Sequence, residues 1–264
     1  MNKKTKLGLN ALAVWGMLGV QSSYAQDGLR PLAADRPDAT ESPQTVDKGH
    51  WQVETTLVGF AQDRASGETV RSYEAFSTNL KYGVTDSVDL HLVVSPYVYE
   101  EVSALGVTHS RSSHGDFELR SKINLWGNAG GENALALLPY VKIPSGALSN
   151  DKTEGGIIVT YASDLGGFGV GLQAQADYLY DESKDEMGWS GSHTAVLGFD
   201  VGSQVGGYVE YIGERDLAAE YVPYASFGLT YQPDANRQWD VGSKVALDKQ
   251  GQDFEVFFGV TQRY

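Results

Sequence analysis

Eleven residues close the chain, Phe254 to Tyr264, alternating apolar and polar and finishing on an aromatic, and about a dozen segments of the same kind precede them. Phe254, Val256, Phe258, Val260 and Tyr264 share one parity, while Asp253, Glu255, Thr261 and Arg263 hold much of the other with Phe257 and Gly259 between. Successive side chains of a strand point to opposite faces, so one face of such a segment suits lipid and the other water. A soluble sandwich strand can carry the same stripe. The series therefore carries more weight than any one member.

Twelve candidate strands follow from Trp51 onward. The first sets Trp51, Val53, Thr55 and Leu57 against Gln52, Glu54 and Thr56; the second, near 72–82, turns Phe76, Leu80 and Tyr82 outward. Val88, Leu90, Leu92 and Val94 oppose Asp89, His91 and Ser95 in the third. The fourth is the clearest two-faced segment, with Phe117, Leu119, Ile123 and Leu125 against Glu118, Arg120, Lys122 and Asn124. The others run near 134–143, 157–161, 170–178, 194–201, 205–211, 225–231, 239–247 and 254–264. Short connections tend to alternate with longer, charged ones, at 61–71, 99–115, 144–155, 181–188 and 213–220. Short turns on one side and long loops on the other predict an all-β, transmembrane, antiparallel up-and-down β-barrel of about 12 strands, with both termini on the periplasmic side. Aromatics near the strand ends, such as Trp51, Tyr82, Trp126, Trp189, Tyr231, Trp239 and Tyr264, read as interfacial girdles. A soluble barrel or sandwich is the competing fold and has no need of them.

Three lysines, an apolar run from Leu7 to Val20 and Ser23-Tyr24-Ala25 read as a secretory signal peptide over 1–25, removed after Ala25. That run is short of the ~20 residues that span a bilayer. Residues 26–49 carry Pro31, Pro37 and Pro43 without sustained periodicity, so they read as an irregular periplasmic leader or a lumen plug, and the barrel is expected over 50–264. The full chain has a net charge of −14; removing 1–25, with three lysines and no acid, leaves −17. This argues against nucleic acid as a partner, because phosphate binding needs clustered Lys and Arg. No cysteine is present, so neither disulfides nor thiolate metal ligands exist.

Asp35-Arg36-Pro37-Asp38 followed by Gly49-His50-Trp51-Gln52-Val53-Glu54 resembles the opening of the outer-membrane transporter family of the meta-pathway of phenol degradation. The resemblance continues through Gly115-Asp116 with Lys122, through Pro139 to Gly146, and through Glu210, Asp240 and the aromatic end. It departs slightly at Ser145, where Thr is expected, and at Tyr264, where Phe is commoner. It implies a barrel in the outer membrane of a Gram-negative bacterium that passes small solutes, aromatic or hydrophobic compounds among them, without fixing which.

The expected inward set contains Glu54, Asp89, Glu118, Asp177, Asp200, Glu210 and Asp240 as acids, Lys81, Arg120, Lys122, Lys142 and Lys244 as bases, and His91. Buried charge must pair or meet water, so a filled, ion-paired lumen and an open aqueous path both stay open. Twelve strands ~4.8 Å apart and tilted ~40° give a backbone radius of roughly 12 Å, hence a narrow pore once side chains are subtracted. The partners expected are outer-membrane lipid, a small solute, and the barrel-assembly machinery through the strand ending at Tyr264. Arg36 could pair an inward acid and hold the leader in the lumen; a flexible periplasmic arm is the plainer alternative.

A non-conducting barrel with a lipid-modifying, structural or adhesive role is the competing function. Ser192 and His193 adjoin on a strand and so face opposite ways, which forbids a nucleophile and base pair. His91 near Asp89 reads better as a lumen histidine, and Gly167 to Gly171 as turn and strand glycine. The acidic stretch Asp181 to Glu186 lacks dedicated ligand spacing, so neither a metal site nor a cofactor is expected.

Overall fold

A computed structural model describes residues 28–65, 67–215, 217 and 220–264; the expected signal segment, 1–25, lies outside the described residues. Fourteen strand runs follow: β1 Trp51–Ala65, β2 Glu68–Gly83, β3 Val88–Val94, β4 Tyr97–Ala104, β5 Val107–Ser113, β6 Phe117–Trp126, β7 Asn133–Ile143, β8 Glu154–Leu165, β9 Phe168–Asp181, β10 Glu186–Asp200, β11 Val205–Arg215, β12 Tyr221–Asp234, β13 Arg237–Ala246 and β14 Phe254–Arg263. β3 and β4 both pair with β2, and they are interrupted only at Ser95 and Pro96, where proline offers no N–H to the ladder. Likewise β6 pairs with β3 and β5 with β4, the break falling at 114–116. The fourteen runs therefore make twelve wall strands. Each neighbour pair is antiparallel, and β1 pairs with both β2 and β14, so the sheet closes on itself.

Burial is inverted relative to a soluble domain. Leu92, Leu119, Leu172, Val209, Leu229, Val241 and Phe258 are exposed on the outside, whereas Glu54, Lys81, Asp89, Lys122 and Asp240 are buried inside. Only a lipid-facing cylinder reconciles these two lists, because an apolar exterior of this extent in water invites aggregation. Exposed aromatics gather near strand ends: Trp51 packs on Tyr82 at 4.6 Å on the side of the termini, and Tyr178 on Trp189 at 5.1 Å on the other.

The outer connections are shorter than the sequence suggests. β1 and β2 run through most of 61–71, and β4 and β5 through most of 99–115; β9 and β10 meet in a turn at 182–185, and β11 continues to Arg215. Charge that reads as loop is paired across neighbouring strands. Arg71 faces Glu101 and bonds it at 2.8 Å, and Glu100 faces Arg111 at the same distance. Residues 144–153 stay without strand, which is most of the expected loop there. Residues 28–49 form neither helix nor strand beyond a single bridge from Lys48 to Gly83, yet many of them are buried, because they lie inside the barrel.

Candidate functional site: a charged lumen threaded by the leader

The inward positions of β1, β2, β3 and β6 bring Glu54, Lys81, Asp89, His91 and Lys122 to one side of the interior, each at most 3% exposed. A set of buried charges this dense is tolerated only if it is neutralised locally. The leader completes it. Asp35 accepts from both Lys81 and, at 2.5 Å, Lys122, while its own N–H donates to the Glu54 carboxylate at 3.1 Å. Glu54 also accepts from Lys81 and from the Gln52 amide at 2.8 Å. Asp89 accepts from the Val46 N–H at 2.8 Å and hydrogen-bonds His91 Nε2 at 2.8 Å.

Beside this cluster Arg36 forks onto Asp240 of β13, with Nε to Oδ2 at 2.9 Å and Nη2 to Oδ1 at 2.8 Å, and donates through Nη1 to Thr56 of β1 at 2.7 Å. Its guanidinium lies over the inward ring of Phe257 at 5.8 Å. Farther along, the Ala39 N–H and the Thr40 hydroxyl both donate to Glu210, at 3.0 and 2.7 Å. Glu41 binds Arg120 at 2.5 Å, and its N–H donates to Gln173 at 2.8 Å. Between Asp35 and Val46 the leader thus touches residues of β1, β2, β3, β6, β8, β9, β10, β11 and β13, crossing the lumen from wall to wall.

The other expected lumen residues take varied places. Glu118 pairs with Arg120, and Asp177 accepts from Tyr140 and from Gln175. Lys142 binds Glu154 at 2.5 Å near the outer end, and Lys244 lies 3.4 Å from Glu214 and 4.5 Å from the centre of the Tyr224 ring. Asp200 sits exposed at the end of β10 and joins none of them. Sequence reasoning had Asp35 only as a motif residue of the leader, without a partner, and missed Glu41 and Asn128, which bonds Thr45 through backbone and side chain. Leader carboxylates lack any strand parity that would have marked them as inward.

Ser192 lines the lumen, whereas His193 faces out and stacks on Tyr221 at 5.9 Å. Gly166 and Gly167 form the β8–β9 turn with positive φ. Asp181 is held by Lys184 at 2.8 Å, and among the described residues no group of His, Asp and Glu is arranged to hold a metal ion. Outside the strands, Asp116 accepts from the Ser145 and Gly146 N–H groups at 2.9 and 3.4 Å and from the Ser149 hydroxyl at 3.1 Å. Burial alone would raise its carboxyl, but these hydrogen bonds and Lys142 outweigh it and hold the group below the usual carboxylate range.

No curated protein matches this sequence significantly. Among solved structures, the outer membrane channel from Pseudomonas putida F1 is similar, with 15% identity, 84% of this chain and 98% of that chain covered, and a TM-score of 0.60. The translocator domain of the autotransporter NalP from Neisseria meningitidis follows with 12% identity, coverage of 82% and 89%, and a TM-score of 0.48. The CymD monoaromatic hydrocarbon channel gives 7% identity, coverage of 83% and 88%, and 0.43. The first shares the fold of an outer-membrane barrel; the other two are too distant to carry an argument. The sequence model of one family, by contrast, matches residues 34–264, from the leader carboxylates that enter the lumen to the strand that closes the barrel, and the chain belongs to that family, described as putative MetA-pathway of phenol degradation.

Proposed function

We propose that this protein is an outer-membrane channel for the passive passage of small solutes, with the leader acting as a plug that narrows the path. The observation that carries this reading is the leader's position: Asp35 bonds Lys81 and Lys122 on β2 and β6, whereas Ala39 and Thr40 bond Glu210 on β11 on the far side of the barrel, so the chain between them lies across the lumen. A purely structural barrel would have no need of an interior this rich in water-seeking groups; a barrel with apolar inward residues would close more cheaply. Removal of 1–25 and recognition of the strand ending at Tyr264 by the assembly machinery belong to the same reading.

The path favours cations. Once the ion pairs are formed, Asp38 and Glu210 have no basic partner within ion-pair distance among the described residues, and the outer half adds Glu74 and Glu255 beside a cavity of about 410 Å³. No covalent chemistry is required of any residue. The test is flux from liposomes containing the refolded full-length protein: K+ should leave faster than Cl−, and small neutral solutes should follow. Folded protein that leaves liposomes as tight as protein-free ones would overturn the reading in favour of a non-conducting barrel with an enzymatic or structural role.

A further inference from the structure

Above the apex of the leader the barrel opens into a second cavity of about 740 Å³, lined by β9, β10 and β11 and floored by Ala39. That volume falls within the range of small-molecule sites. Its chemistry differs from that of the lumen below. Adjacent inward positions on β9 and β10 pair Gln173 with Thr194, Gln175 with Ser192 and Asp177 with Ser190, forming a ladder of amide and hydroxyl groups. Asp177 already accepts from Tyr140 and Gln175, and the outer carboxylates Asp181 and Glu214 have Lys184 and Lys244 beside them. The hydroxyls of Ser190 and Ser192 line the cavity and make no hydrogen bond to another described residue. Gln175 spends its amide N–H on Asp177 and keeps its carbonyl oxygen as an acceptor. Leu179, Ile212 and Leu217 supply apolar surface to the same space.

We propose that this outer cavity is a recognition site for a small, neutral, hydroxylated solute of mono- or disaccharide size. Hydroxyls both donate and accept, so the Ser190, Ser192 and Gln175 rungs match a solute whose own hydroxyls do the same. The aliphatic wall suits the C–H face of such a molecule. An aromatic hydrocarbon would strip water from the rungs and return no hydrogen bonds, which carries a penalty for each group left unpaired. The rim carries both signs, Glu182 and Glu214 together with Arg215, so a charged solute meets no surface of a single sign there. The inference rests on the passage reading for its purpose, but binding is measurable without flux.

The test is saturation-transfer NMR on the full-length protein in a detergent without a sugar headgroup, using D-glucose, sucrose, benzoate and toluene as probes. Saturable transfer to one of the sugars is expected, weakened about tenfold in a Ser190→Val/Ser192→Val double variant, as for the loss of a hydrogen bond or two, and retained in Ser192→Thr. Should the double variant fail to give a heat-modifiable folded band, Gln175→Met reads the same wall. Absence of saturable sugar binding, equal binding by the variants, or tighter binding of toluene or benzoate would each overturn the proposal. Variant-sensitive sugar binding by a protein that leaves liposomes tight would overturn the passage reading and leave this site standing.

Discussion

Arg36 and Gly259 occupy the same few ångströms of the lumen, and only because one of them lacks a side chain. A methyl group on Gly259 would lie 2.0 Å from Arg36 Nη2 and 2.5 Å from the Thr55 carbonyl oxygen. Gly259→Ala should therefore push the guanidinium off Asp240 and loosen the leader, seen as faster hydrogen exchange at the Ala39 and Val46 amides. Arg36→Ala removes the partner of a fully buried carboxylate, a change that costs about 3–5 kcal/mol when the remaining charge stays buried. Urea unfolding should show that loss, and Asp240→Asn in the same chain should recover part of it. Asp116 is a different case. Its folded-state carboxyl is depressed, so its contribution to anchoring 144–149 is present above the unfolded value, about 3.9, and disappears as pH falls through the folded value. Proteolysis within 144–153 by an acid-stable protease should accelerate below that window, and Asp116→Asn should already be cut faster at neutral pH.

At the scale of strands, period-two alternation was enough to find all twelve walls, because each must present one face to lipid and one to the interior. The ends of the strands were less legible. Arg71, Glu100, Glu101 and Arg111 carry the charge of a loop, but they lie opposite one another across paired strands, and no single segment reveals that its partner will neutralise it. Gly115-Asp116 and Ser145-Gly146, by contrast, were visible as motif residues without a visible reason. The structure supplies one: Asp116 anchors the 144–149 loop, and a side chain on Gly146 would meet the His114 carbonyl oxygen at 2.0 Å. The register also ranks lipid-facing substitutions. Phe258 pairs with Val241 five residues from the end of β14, near the middle of the apolar band, whereas Trp239 lies nearer the rim. Phe258→Arg should cost about 2–4 kcal/mol and Trp239→Arg markedly less, measured by reversible folding into phospholipid vesicles.

For the whole molecule, the residues that carried the family resemblance, Asp35, Arg36, Glu54, Lys122, Glu210 and Asp240, are far apart in sequence and converge on one lumen. Inward acids and bases were readable from parity; who pairs with whom was not, because half the partners belong to a leader without periodicity. Asp35 between Lys81 and Lys122, and Arg36 against Asp240, turn a hollow cylinder into one crossed by its own N-terminal segment. The most direct measurement is single-channel conductance in planar bilayers of the full-length protein beside a variant lacking residues 27–45. The account predicts small, cation-preferring steps for the first and clearly larger steps for the second, with the preference weakening at high salt as the carboxylates are screened. Equal conductance of the two, or silence from both in their folded form, would contradict it.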